Sequence, residues 1–154
     1  MTREHLRRLA SMAVLGASLA TLASCSSTDS TQPEGDISFI EENWEIEAPE
    51  SAETVEYYST DSDFQGGRED VYVISMAESD RSDYWDESEY TLTSSEGARG
   101  ETSPEAIAES SGADLDGELF ESIRCREPEG RDQNYLISCF NPVDGNFYVF
   151  EEIF

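Results

Sequence analysis

The side chains able to do chemistry in this chain are almost all carboxylates. Its 154 residues hold 35 Asp and Glu against nine Lys and Arg, a formal charge of −26, and all nine cations are arginine. His5 is the only histidine and there is no lysine. Ser-His-Asp and Cys-His relays, histidine-bound zinc and lysine Schiff bases therefore have no residues to build on in the body of the chain. Gly66-Gly67 stands without the lysine that a phosphate loop needs. Nucleic acid is excluded as a partner, because phosphate contacts require a basic footprint. What remains is carboxylate pairs of the kind that hydrolyse glycosides, oxygen ligands for cations, and the thiols of Cys25, Cys125 and Cys139. No organic cofactor is expected.

The sharpest cation candidate is Asp61-Ser62-Asp63-Phe64-Gln65-Gly66. It resembles the opening of an EF-hand loop, with acids at positions 1 and 3 and glycine at 6. The decisive twelfth position is Tyr72 where the family has a bidentate Glu, and the fifth is Gln65. Asp61 and Asp63 are thus weak metal candidates, and a polar turn between strands is the better reading. Asp114-Leu115-Asp116-Gly117 fails the same test.

The first 25 residues carry an address. Arg3, Arg7 and Arg8 precede Leu9–Leu22, a stretch of 14 residues without a charge, and the run ends Leu22-Ala23-Ser24-Cys25. Such a run is short for a membrane span and has the flanks of an export signal. The four closing residues resemble the lipobox of bacterial lipoprotein precursors. The resemblance implies a diacylglyceryl group on the Cys25 thiol and cleavage before it, which leaves the protein anchored at the extracytoplasmic face of the cell membrane. Ala48-Pro49 ahead of Glu53-Thr54-Val55-Glu56-Tyr57 is similar to an opening seen in small actinobacterial lipoproteins, and an arginine-only cation set fits a GC-rich genome of that kind.

The elements that remain must be built after the anchor. Residues 1–24 are the expected signal peptide, and residues 25–35 the lipidated Cys and a flexible tether whose SSTDSTQPEG stretch has no apolar side chain. A single acidic domain is expected over 36–154. Loss of Arg3, Arg7, Arg8 and Glu4 takes the formal charge to −28, and only 24 of the remaining 130 residues are Leu, Ile, Val or Phe. That balance leans towards disorder, but seven Tyr, seven Phe and two Trp, clustered in short apolar runs, supply the area for a core. Val71–Met76 is the strongest strand candidate. Val55–Tyr58, Ile37–Ile40, Trp44–Ile46, Leu119–Arg126, Tyr135–Phe140 and Phe147–Ile153 follow. Asp144-Gly145 marks a hairpin. Thr102–Ala108, with Ser-Pro-Glu at its start and Gly112 after it, reads as a helix. Ser82–Glu87 reads as a second short helical turn that places Tyr84 and Trp85 on the core side. The expected fold is α+β: a small antiparallel sheet with a C-terminal three-stranded meander and one or two short helices.

With Cys25 lipidated, Cys125 and Cys139 form an even pair in an oxidising compartment. If the intervening hairpin centres on Asp132, the two stand directly opposite, and a bridge there closes a loop worth roughly 3 kcal/mol. Arg124, Arg126 and Arg131 are the one locally basic patch and are expected to pair with surplus acids. The acid excess itself has two readings, attraction of a basic partner or adaptation to salt. Together these features point to a non-enzymatic binding or accessory module that contacts another envelope protein. A carboxylate-dependent envelope hydrolase and a weak divalent-cation binder are the alternatives.

Overall fold

The computed structural model describes residues 35–60, 67–81, 83–98 and 102–154. The expected signal peptide, Cys25, almost all of the tether, Asp61, Asp63 and Ser82 lie outside the described residues. Three apolar runs build the centre of the sheet: β2 (Arg68–Ser75), β6 (Asn134–Phe140) and β7 (Phe147–Ile153). Around them lie β1 (Glu53–Ser59), β3 (Leu92–Thr93), β4 (Arg124–Cys125) and β5 (Glu129–Arg131). The order is β1-β2-β7-β6-β4-β3, with β5 also pairing β6, and each pair is antiparallel.

The sheet is larger than expected because both of its faces are covered. Val-Tyr-Val-Ile in β2 and Phe-Tyr-Val-Phe in β7 are continuous apolar runs, the signature of strands buried on both sides. Alternate residues go to opposite faces. Tyr72, Ile74, Leu136, Phe140, Phe147 and Val149 join a core with Ile40, Trp44 and Trp85. Val71, Val73, Ile137, Cys139, Tyr148 and Phe150 join the other with Ile107, Ala108 and Ile123.

Helix α1 (Ser38–Trp44) and the segment after it cover the first face; α2 (Pro104–Ser111) and α3 (Gly117–Ser122) cover the second. Helix α2 forms where its punctuation places it: Ser103 Oγ accepts from Ala106 N at 3.1 Å, Pro104 opens the helix, and Gly112 ends it at φ +73°. The reading of Ile37–Ile40 and Trp44–Ile46 as strands is corrected. Asp36 accepts from the Ser38 N–H at 3.0 Å and its hydroxyl at 2.8 Å, and the buried pair Ile40 and Trp44 stand four residues apart, the spacing of one helix face. Leu119–Arg126 is corrected too. Asp116 accepts from Glu118 N at 3.0 Å and caps a helix through Ser122, so only Arg124–Cys125 is strand.

The C-terminal meander forms with β6 and β7 as expected and with β4 and β5 as its short first limb. Its last hairpin closes through Gly145 N to Asn141 O at 2.8 Å and Asn141 N to Asn146 O at 2.9 Å, with Gly145 at φ +78°. Its first turns at Asp132, a non-glycine residue at φ +58°. There Gly130 faces Tyr135, whereas Cys125 faces Cys139, one residue out of step. Residues 126–128 absorb the slip, and a disulfide joins Cys125 to Cys139 with Cα atoms 3.9 Å apart.

Candidate functional site

A cleft of 920 Å³ opens on the α1 face of the sheet, at the end where β3 and β4 lie. Three stretches wall it: Trp44–Pro49 leaving α1, Asp83–Trp85 with Glu89, Thr91 and Leu92, and Arg126–Glu129 running from the end of β4 into β5. Each wall is fixed by the core beneath it. Trp44 and Trp85 bury their rings, and Trp85 sits edge-on to Phe147 with centroids 5.2 Å apart. The Trp85 indole donates to Glu47 O at 3.0 Å, tying the first wall to the second.

Arg126 ties the second wall to the third. Its guanidinium lies 4.0 Å from the Tyr84 ring centroid and 5.9 Å from that of Tyr90, and donates to Tyr84 O at 2.7 Å. Cation–π contact and a charge-assisted hydrogen bond together hold this arginine flat against the wall. The Tyr90 hydroxyl donates to Tyr84 O at 3.1 Å and lies 3.0 Å from Ser138 Oγ. Burial pushes the Tyr90 phenol up to about 12, with Ser138 and Arg126 pulling the other way, and burial likewise raises Tyr84. Both phenols are therefore neutral across the ordinary pH range.

The rim is acidic. Glu45, Glu47, Asp83, Glu89, Glu127 and Glu129 line the cleft, and of these Glu45 is held by Arg131 at 2.5 Å. The cleft thus presents a carboxylate rim over largely buried rings, with Arg126 already seated on Tyr84, and the rim's charge suits a guanidinium or ammonium group.

The Cys125–Cys139 bridge lies in the opposite core and is structural in position, at the base of the strand that leads into the Arg126 wall. Asp116 caps α3 and Asp114 is exposed, so that pair does not converge on a cation. Among the described residues, no three His, Cys, Asp or Glu side chains gather as a metal site. The basic patch is corrected in part: Arg131 pairs with Glu45, but Arg124 donates to the carbonyls of Glu121, Ser122 and Ile123, and Arg126 stacks on tyrosine. Helical placement of Tyr84 and Trp85 towards the core holds, in a short 3₁₀ turn over Asp83–Trp85. The cleft as a site was not visible from spacing, because its three walls are up to 85 residues apart in sequence and meet only through strand order.

No known protein family, curated protein or solved structure matches this chain. Among the described residues, no helix is long and apolar enough to cross a membrane.

Proposed function

We propose that this chain is a lipid-anchored, non-enzymatic binding module on the extracytoplasmic face of the cell membrane. Its cleft receives an arginine- or lysine-bearing segment of another envelope protein. The observation that carries the reading is the cleft's charge: six carboxylates gather on its rim, one of them, Glu45, paired with Arg131. The lipobox-like Leu22-Ala23-Ser24-Cys25 and the apolar-free tether support the anchored placement. In this arrangement the acidic rim steers a basic segment in and pairs with its cations.

The −26 charge alone attracts any polycation, so specificity must come from the cleft. Titration of an arginine-containing peptide into the protein tests this directly. Neutralising rim carboxylates must weaken binding far more than neutralising the same number of acids elsewhere; equal losses would reduce the reading to bulk charge.

A further inference from the structure

Two carboxyl groups lie fully buried side by side beneath α1. Asp70 of β2 and Glu151 of β7 are both 0% exposed and are direct cross-strand partners. Their side chains fall on the same face, that of Tyr72 and Val149. Among the described residues a single guanidinium serves the pair, and it is committed: Arg68 Nε donates to Asp70 Oδ2 at 2.6 Å. Asp70 Oδ1 accepts from the Tyr57 hydroxyl at 2.9 Å.

Among the described residues, no cation pairs with Glu151. Its Oε1 accepts from the Trp44 indole at 2.6 Å and from Asn43 Nδ2 at 3.3 Å, both side chains of α1. Among the described residues, its Oε2 has one contact, the Tyr72 hydroxyl, at 3.5 Å. At the end of α1 Arg131 pairs with Glu45 and donates to Asn43 O at 2.7 Å. Directly across on β6 stands Leu136, which carries no charge. A buried carboxylate oxygen with one long contact is costly, whereas a carboxylic acid O–H there has the Tyr72 oxygen to donate to.

We propose that Glu151 is a proton-binding latch for α1: a proton on Oε2 keeps the helix seated on the sheet, and its loss loosens the helix. Burial, then the neighbouring Asp70, raise the Glu151 carboxyl above its ordinary range against the pull of Trp44, Asn43 and Arg68. The sign follows. An acid raised in the closed state is favoured there when protonated, so seating is fullest below the ordinary glutamate range and weakens as pH rises through the raised value. For each unit of that raise, opening of α1 becomes tenfold more frequent on the alkaline side. Because α1 runs straight into Trp44–Pro49, the latch also sets how firmly one cleft wall is held. That consequence rests on the cleft being the binding site; the latch does not.

The two indole N–H signals provide the test, with no ligand present. Trp44 donates to Glu151, while Trp85 donates to a backbone carbonyl and serves as the internal reference. In the wild-type chain the Trp44 signal is expected to titrate with a midpoint above the ordinary glutamate range, while Trp85 stays still. Amide exchange of Ile40–Trp44, corrected for intrinsic rates, is expected to rise over the same interval. In Glu151→Gln both changes are expected to vanish. A Trp44 midpoint at or below the ordinary range overturns the proposal from the wild-type protein alone, and so does an inflection that persists in Glu151→Gln.

Discussion

Replacing both bridged cysteines with alanine tests whether the disulfide braces the lean core and the cleft wall above it. The bridge spans 14 residues, a loop for which the chain-entropy relation gives about 3 kcal/mol. Both sulfurs are fully buried among Val71, Ile107, Ile123 and Phe150, so their loss also leaves a small cavity worth about 1 kcal/mol. The combined loss of about 4 kcal/mol corresponds to a melting temperature lower by roughly 10–20 °C for a domain of this size. Near-UV circular dichroism of the double variant, beside wild-type protein with and without reductant, separates the two contributions. Reduction alone is expected to give most of the shift. Amide exchange is expected to accelerate first over Arg126–Arg131, the limb that the bridge closes and that carries the third cleft wall. A melting shift below about 3 °C on reduction, with unchanged exchange in that limb, would refute the reasoning.

Two further outcomes follow from charge and from the N-terminal motif. With three ion pairs among the described residues against a net charge of −26, stability is expected to climb with sodium chloride as the screening length falls from about 10 Å at 0.1 M to about 3 Å at 1 M; thermal melts flat over that range would contradict it. Cys25→Ser is expected to leave the precursor uncleaved or the protein released from membranes, read by fractionation and mass; full membrane retention with normal processing would contradict the lipobox reading.

The legible parts of this fold are those whose signals are local. Strands β2 and β7 carry unbroken apolar runs and β6 one interrupted by Ser138, and α2 is bracketed by Ser103-Pro104 and Gly112. The cysteine pairing was legible because two cysteines share one hairpin, although the turn slips by one residue and residues 126–128 restore the register. Helix α1 was hidden because Ile37–Ile40 is short and apolar enough to pass for a strand; the Ile40–Trp44 spacing was the signal that mattered. Helix α3 was hidden by Leu119 and Phe120, with the capping Asp116 as its clue. Covering elements on both faces made the sheet larger than the composition implied. The cleft and the Asp70–Glu151 pair are products of strand order. Asp70 and Glu151 lie 81 residues apart and become neighbours only because β7 inserts beside β2.

The central claim is that the cleft, and not the overall charge, recognises a basic segment. Calorimetric titration of one arginine-containing peptide into three proteins tests it: wild type, a rim variant with Glu47→Gln, Glu89→Gln and Glu127→Gln, and a distant variant with Glu53→Gln, Glu109→Gln and Glu118→Gln. All six side chains are exposed and both variants remove the same charge. At about 0.5 kcal/mol for each exposed pair, the rim variant is expected to bind roughly tenfold more weakly, and the distant variant close to wild type. Equal weakening in the two variants, or no saturable binding by the wild-type protein, would contradict the account.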